Sequence, residues 1–170
     1  MKAIILFFAC LLTMAANSQK IVENKVDEFT KHAVKRTDYE KAFQTFKGNM
    51  MHVALKKIDS TKFLSMKLML GGVFSIREGQ ELMFKMKDGS IVSFQNLKYA
   101  ITCAGCGAVS FIGSTGEGIE SDYLTDDDKL NKLTAQLITK IRVYTSSGYI
   151  EEDVKEKNAI VLQKMLKLIP

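Results

Sequence analysis

The feature that most restricts the fold is a pair of strand-like runs joined by Asp88-Gly89, in "ELMFKMKDGSIVSFQN" at residues 81–96. Apolar side chains recur with a period of two in both runs, which is the pattern of β-strands. Asp-Gly favours a two-residue hairpin turn because both residues tolerate positive φ, and such a turn places Met86 opposite Ile91. The apolar residues then fall on both faces, with Leu82, Phe84, Met86 and Ile91 on one and Met83, Val92 and Phe94 on the other. We therefore expect a hairpin inside an antiparallel sheet, covered on both sides.

Further strand patterns precede this hairpin. The runs "HVALKKI" (52–58) and "KFLSMKLML" (62–70) flank a short polar turn, and "VFSI" (73–76) follows a Gly-Gly break. The second run places four apolar residues on one face at period two, namely Leu64, Met66, Leu68 and Leu70. Residues 19–48 fit either a polar strand or a helix, so their structure stays open.

The spacing becomes helical near the C-terminus. In "YLTDDDKLNKLTAQL" (123–137) leucines recur at helical intervals, and Thr125 is placed as the N-cap. Three aspartates follow in the first turn, where carboxylates stabilise the positive end of the helix dipole. This segment predicts a short amphipathic helix.

A strand and a second helix are predicted after it. The strand is "ITKIRVYTS" (138–146), and "EEDVKEKNAIVLQKMLKLIP" (151–170) carries an apolar stripe at helical spacing. Favourable i,i+4 charge pairs would start at Glu151 and Asp153 of this helix. Strands first and helices last, without regular βαβ alternation, predict an α+β fold, a mostly antiparallel β-sheet built from hairpins with two C-terminal helices.

The first eighteen residues, "MKAIILFFACLLTMAANS", have the layout of a secretory signal peptide, with one lysine, an apolar run and small residues before a cut at Gln19. The apolar run is shorter than the roughly 20 residues of a transmembrane helix, which argues against a membrane anchor. A lipoprotein signal ending at Cys10 is disfavoured because the apolar run continues past that cysteine. We expect residues 1–18 to be removed and residues 19–170 to form a single domain that is periplasmic or secreted.

The charge of the remaining chain restricts the class of partner only weakly. Loss of residues 1–18 removes one lysine and no acidic residue, so the net charge falls from +5 to +4. The basic residues are scattered and form no stripe interleaved with aromatic residues, so no nucleic-acid partner is expected. No later apolar run is long enough to span a bilayer, so we expect no transmembrane segment after residue 18.

Three runs resemble small, uncharacterised secreted or periplasmic proteins of Gram-negative bacteria, namely "VDEFTKHAVKRTDYE", "VFSIREGQELMFKMKDG" and "KIRVYTSSGYIEEDVKEKNA". The likeness is general and spreads over most of the chain after residue 18. It implies export and a single small domain. It implies no activity, and no catalytic residue is carried over from it.

Cys103 and Cys106, in "AITCAGCGAVSF" (100–111), could form a disulfide, a redox couple or half of a zinc site. Both flanks have strand patterns, so a two-residue turn at Ala104-Gly105 would bring the two Cα atoms to the roughly 5.5 Å that a disulfide requires. A thioredoxin-type pair lies at the start of a helix, which the flanking sequence does not predict.

Zinc is the third possibility for this pair. A structural site needs four ligands, and only His32 and His52 could complete the set, without the short spacing typical of zinc-binding histidines. We favour a local structural disulfide between Cys103 and Cys106, with a redox or zinc-binding role as the alternative. No metal ligand set and no cofactor are expected.

Other motifs have simpler explanations than a function. "GSTGEG" (113–118) lacks the Gly-Lys-Ser/Thr ending of a phosphate-binding loop and predicts a turn. The run Asp126–Asp128, with Asp122 before it, lacks the glycine and distal glutamate of a calcium loop and fits helix capping. No nucleophile elbow is present.

These patterns lead to a functional expectation. We expect a non-enzymatic binding or structural protein without catalytic residues, whose partner is an unknown protein or small molecule. The alternative is a redox or zinc-binding protein that uses Cys103 and Cys106. A carboxylate-dependent hydrolase is a third hypothesis, which requires a deep pocket with two facing carboxylates.

Overall fold

The computed structural model describes residues 19–109 and 116–170. The strands are β1 (Ile21–Val26), β2 (Ala33–Thr37), β3 (Glu40–Gln44), β4 (Met50–Ile58), β5 (Thr61–Met69), β6 (Ser75–Ile76), β7 (Glu81–Met86), β8 (Ile91–Gln95), β9 (Ala100–Ile101), β10 (Ile119–Thr125), β11 (Ile138–Thr145) and β12 (Gly148–Asp153). The helices are α1 (Asp127–Ala135) and α2 (Glu156–Leu166). The strand pairings between these elements are antiparallel. The predicted α+β fold with a mostly antiparallel sheet is confirmed. The predicted signal peptide (1–18) lies outside the described residues, as do residues 113–115 of "GSTGEG".

Two larger sheets and one small one form the framework. The first has the order β1-β2-β4-β5-β10, and β3 follows β2 along the same edge of β4. The second has the order β12-β11-β7-β8, and β6 pairs with β9 in the small sheet. A single bridge between Asn96 and Tyr123 connects the end of β8 with β10. The two large sheets therefore adjoin where the end of β8 meets β10.

The core lies between the inner faces of the two large sheets and the helices. On β5 the predicted apolar face is confirmed, because Leu64, Met66 and Leu68 are fully buried and Leu70 packs against the core. Helix α2 contacts β3, β4 and β11, and α1 contacts α2 and β8. Each fully buried side chain of this kind stabilises the fold by about 1.5–3 kcal/mol. Neither helix in the described ranges is long and apolar enough to cross a membrane.

The segment that the sequence left open forms β1, β2 and β3. Strands β2 and β3 both pair with β4 and are separated only by Asp38 and Tyr39. The Thr37 hydroxyl accepts a hydrogen bond from the Leu55 N–H at 2.9 Å, which joins β2 to β4 at this break. Strands β2 and β3 thus resemble one long strand that is interrupted next to β4, and the polar residues Asp38 and Glu40 lie at the interruption.

The register predicted for the Asp88-Gly89 hairpin is wrong by one residue. Val92 pairs with Phe84, and the Met86 N–H donates to the Ser90 carbonyl, so the turn has three residues instead of two. Asp88 causes this difference because its carboxylate accepts from the Ser90 N–H and hydroxyl, while Gly89 takes the positive φ.

The corrected register changes which side chains are buried. Val92 and Phe94 join Leu82 and Phe84 on the inner face, whereas Ile91 is 59% exposed. The Phe84 and Phe94 rings pack edge to face, with centroids 5.7 Å apart. The hairpin is therefore not covered on both sides, and β8 is the last strand of its sheet.

The predicted start of the second helix is also wrong. Residues 148–153 form β12, which returns along β11, and α2 begins only at Glu156. The Glu151 carboxylate bonds to Lys140 at 2.8 Å and to the Nε of Arg142 at 2.9 Å across the strand pair. These cross-strand ion pairs replace the i,i+4 helix pairs that the sequence suggested, because the turn at Gly148 folds the segment back as a strand.

Helix α1 agrees with the sequence except at its cap. The N-cap is Asp126, not Thr125, and its side chain accepts from the Lys129 N–H at 2.7 Å. Asp127 and Asp128 lie in the first turn as predicted. Asp127 also binds Lys62 of β5 at 2.6 Å, so the acidic run ties this helix to the first sheet.

Candidate functional site

The cysteine pair lies in a tight turn directly after β9. The Cα atoms of Cys103 and Cys106 are 5.4 Å apart, with the sulfur atoms at disulfide-bonding distance. The Cys106 N–H donates to the Cys103 carbonyl at 3.3 Å, and Gly105 takes a positive φ of 81°. The predicted turn at Ala104-Gly105 is thus present, and Cys103 is exposed to solvent.

The strand pairing predicted around this turn is wrong. Strand β9 pairs with β6 instead of returning on itself, and Cys103 exchanges backbone hydrogen bonds with Gly118. Gly107 lies against Gly118, where an added Cβ would come within 3.3 Å of the Gly118 Cα. The turn is therefore packed on the ends of β5 and β10, and Lys67 donates to the Ala108 carbonyl at 2.7 Å to hold it there.

The two histidines considered as zinc ligands have other surroundings. His32 directly precedes β2, and its Nδ1 is 2.5 Å from a carboxylate oxygen of Asp59. His52 on β4 is only 6% exposed, and its neighbours across the strands are Lys41 and Lys67. Burial and these two ammonium groups lower the pKa of His52 to about 4. Within residues 19–109 and 116–170, no group of three or more His, Cys, Asp or Glu side chains is arranged to hold a metal ion.

A cleft of about 1150 Å³ lies between β3, the end of β12 and the first turns of α2, and we call it the β3–α2 cleft. Among the described strands β3 pairs only with β4, β12 ends the strand order of the second sheet, and α2 packs on β3. Asn158 of α2 donates to the Ala42 carbonyl at 3.1 Å, which fixes the helix against β3. Phe43 forms a buried part of the lining, and Phe46 in the β3–β4 turn is fully exposed.

Eight charged side chains of both signs line this cleft. The acidic ones are Asp38, Glu40, Glu152 and Asp153, and the basic ones are Lys20, Lys41, Lys155 and Lys157. Asp153 binds Lys140 at 3.6 Å, and Lys41 donates to Gln44 at 2.8 Å. In the described part of the chain, no ion pair involves Glu40, Glu152, Lys155 or Lys157. Partial burial, together with the nearby Asp38 carboxylate, raises the pKa of Glu40.

The acidic residues considered for calcium are occupied within the fold. Asp122 of β10 accepts from the Ser65 hydroxyl of the neighbouring β5 and binds the Lys56 ammonium of β4, one strand further away. Asp126 caps α1, and Asp127 binds Lys62. These contacts support the capping interpretation of the run.

Sequence reasoning missed the β3–α2 cleft because its lining comes from three separate segments. The only local signal is Asp38 and Glu40, two residues apart in a segment of undecided structure. A comparison of the chain with protein-family models, with curated proteins and with solved structures finds no match. The candidate function of the protein is therefore inferred from the geometry of the cleft and of the cysteine turn.

Proposed function

We propose that the chain is an exported, non-enzymatic binding protein and that the β3–α2 cleft is its ligand site. The observation that carries this proposal is a cleft lined by charges of both signs, four of which form no ion pair in the described part of the chain, namely Glu40, Glu152, Lys155 and Lys157. Its volume of about 1150 Å³ is slightly above the range of small-molecule sites, which is roughly 300–1,000 Å³. Because the proposal requires only binding, it assigns no catalytic residue.

The charges favour a polar ligand that carries both an ammonium and a carboxylate. Glu40 is partly withdrawn from water, so a ligand ammonium beside it would restore the stabilisation that its carboxylate has lost. Lys155 and Lys157 stand on the first residues of α2 or just before them and can receive a carboxylate. Complementary charges of this kind select the partner and its orientation more than they add affinity.

An extended peptide matches this lining best. Its backbone can bond to the edge of β3 or β12, which is how peptides add to open sheets. Its charged side chains can reach the opposite charges on the walls. An apolar side chain could cover Phe46, which is fully exposed in the lining of the cleft.

The N-terminal signal-like segment and the cysteine turn support export. A disulfide persists in the periplasm or outside the cell and is rare in the cytosol. Cys103 and Cys106 lie at the geometry that such a bond needs. A ligand met in that compartment would come from the cell envelope or from the surroundings of the cell.

A peptide selection tests the cleft directly. Random hexapeptides displayed on phage are selected on the immobilised protein, and the enriched peptides are synthesised and titrated by calorimetry. We expect peptides that combine lysine with aspartate or glutamate. Lys157→Glu should weaken their binding at least tenfold, since it turns an attraction in the cleft into a repulsion, and about tenfold corresponds to 1.4 kcal/mol.

Lys132→Glu is the matched control, because Lys132 is an exposed helix lysine on α1 that does not line the cleft. It should leave the affinity within about twofold. The cleft is not the binding site if the Lys157→Glu and Lys132→Glu proteins bind the peptides with equal affinity. The same conclusion follows if the Glu40→Gln and Lys157→Glu proteins both bind the peptides as tightly as the unchanged protein.

A redox role for the cysteine pair is the second candidate, and the solvent exposure of Cys103 favours it. If the pair is structural, Cys103→Ser/Cys106→Ser should lower the free energy of unfolding by about 2 kcal/mol on the chain-entropy model. The same variant should bind the selected peptides unchanged, because the turn is remote in sequence and absent from the cleft lining.

Equilibration in glutathione buffers separates the two roles. A structural pair stays oxidised until the potential falls below about −300 mV, whereas a redox couple is reduced near the potential of the glutathione pool. Trapping with an alkylating reagent and intact mass measure the oxidised fraction. Reduction at about −200 mV would support the redox role over the structural one.

A further inference from the structure

Strand β1 is an open edge with apolar side chains in water. It ends the strand order of the first sheet, and in the described ranges only β2 pairs with it. Val22 is 42% exposed and Val26 is 59% exposed. An uncovered edge of this kind is a template for pairing with another strand unless it is protected.

The direction of the backbone groups along β1 follows from its pairing with β2. The Asp27 N–H donates to the His32 carbonyl at 2.9 Å, just beyond the end of the strand. Bonded and non-bonded pairs alternate in an antiparallel ladder, so Lys25 and Glu23 also bond to β2. The backbone groups of Asn24 and Val26 therefore point to the open edge.

This alternation limits how a second β1 could pair with the first about a two-fold axis. The backbone N–H and C=O groups that point away from β2 must face the same kind of groups on the partner strand. Registers shifted by one residue would place them opposite groups that already bond to β2, so these registers are excluded. In the central register Asn24 meets the partner's Asn24 on the axis. Glu23 then lies opposite the partner's Lys25, and the regular alternation ends there because the register of β1 on β2 shifts between Ile21 and Glu23.

The charges favour the central register over its neighbours. A shift of two residues in one direction places Glu23 against the partner's Glu23, and in the other direction it places Lys25 against the partner's Lys25. Like charges directly opposite each other destabilise a strand pair, and opposite charges stabilise it. Within one chain Lys25 already contacts Glu23 at 3.2 Å, so the axis would be surrounded by four alternating charges.

We propose that two copies of this chain associate by antiparallel pairing of their β1 strands, centred on Asn24. The pairing joins the two first sheets into one continuous sheet and covers the exposed edge. It brings the charges of Glu23 and Lys25 into register across the axis. No residue of β1 lines the β3–α2 cleft, so the proposal does not depend on the proposed function.

Cross-linking tests the register. The protein is expressed from its full sequence and purified in the form in which it accumulates. Asn24→Cys places two thiols at a bonded pair, about 5.5 Å apart between Cα atoms, which is within disulfide range. Mild oxidation should yield a covalent dimer. Glu23→Cys alone should not cross-link, whereas its mixture with Lys25→Cys should.

Charge reversal tests the interface without new thiols. Glu23→Lys and Lys25→Glu should each weaken the dimer roughly tenfold or more, because two opposite-charge pairs become like-charge pairs. The double variant Glu23→Lys/Lys25→Glu should restore the original affinity. Lys25→Glu leaves the contact of Glu23 with Arg36, 3.3 Å long, in place and so controls for damage within one chain.

Sedimentation velocity over a concentration series measures the affinities. A protein that stays monomeric up to the highest concentration reached overturns the proposal. A dimer whose affinity neither single variant changes, or which the double variant fails to restore, overturns it too. Efficient cross-linking of Glu23→Cys alone would show another register and would likewise reject it.

Discussion

Lowering the pH from 7 to 4 should reduce the free energy of unfolding by about 3 kcal/mol through His52 alone. The pKa of His52 is about 4 in the folded protein and about 6.5 in an unfolded chain. Each unit of difference is worth 1.36 kcal/mol, so the full effect is about 3 kcal/mol. Because the folded state binds this proton less tightly, stability is complete above pH 6.5, falls as the pH drops, and levels off below about 4.

The surroundings of His52 explain the direction of this effect. Its ring is buried on β4, with Lys41 of β3 on one side and Lys67 of β5 on the other. Beyond Lys67 the next residue across the sheet is Glu120 of β10, whose carboxylate is 3.6 Å from the Lys67 ammonium. A protonated imidazole would thus add a third positive charge to a site already poor in water.

Urea unfolding at pH 7, 6, 5 and 4 measures this effect. His52→Gln removes the titrating ring, so its stability should change less with pH than that of the unchanged protein, and the difference isolates His52 from the carboxylates. His32→Gln is the control, because it removes an exposed histidine and leaves His52 in place, so it should retain the pH dependence that His52 causes. The same slope for His52→Gln and the unchanged protein would refute the assignment.

Much of the fold could be predicted from local periodicity. Strands β4, β5 and β11 match the runs that the alternation indicated, and Ile141 and Val143 point into the core. These strands are long, and a shift of one residue would move every apolar side chain to water. The apolar pattern of these strands therefore determines which of their faces is buried.

The errors occurred where a few polar contacts decide between two local structures. At Asp88 the period of the flanking strands fits a turn of either two or three residues, and the hydrogen bonds to Ser90 select the longer one. At Glu151 the same charges satisfy helix pairs or cross-strand pairs, and only the position of β11 determines the outcome. Neither choice is visible in the spacing of apolar residues.

The candidate site was hidden for a related reason. The cysteine turn is local, so its geometry followed from four residues and was anticipated, although the pairing of its flanks was not. The β3–α2 cleft depends on how β3, β12 and α2 meet, and those elements are up to about a hundred residues apart in sequence. The partial burial of Glu40 is a consequence of that meeting.

Replacing Gly118 with alanine should lower the free energy of unfolding by about 3 kcal/mol, at the upper end of the cost of overpacking. The new Cβ would lie 2.6 Å from the Gly107 Cα and 2.6 Å from the Leu68 carbonyl oxygen. Both are backbone atoms of packed segments, so neither can rotate away as a side chain would. The substitution therefore forces the cysteine turn and the end of β5 apart.

Two further glycines make this expectation specific to the close approach. At Gly107 the nearest atom to a new Cβ is the Met69 Cγ, which can move, so Gly107→Ala should cost less, about 1 kcal/mol. At Gly72 no atom lies within 4 Å, and Gly72→Ala should stay within about 0.5 kcal/mol of the unchanged protein. Urea unfolding of the three variants gives the order directly. A Gly118→Ala protein as stable as Gly72→Ala would mean that the turn does not pack on β5 and β10, and the structural role of the cysteine pair would lose its basis.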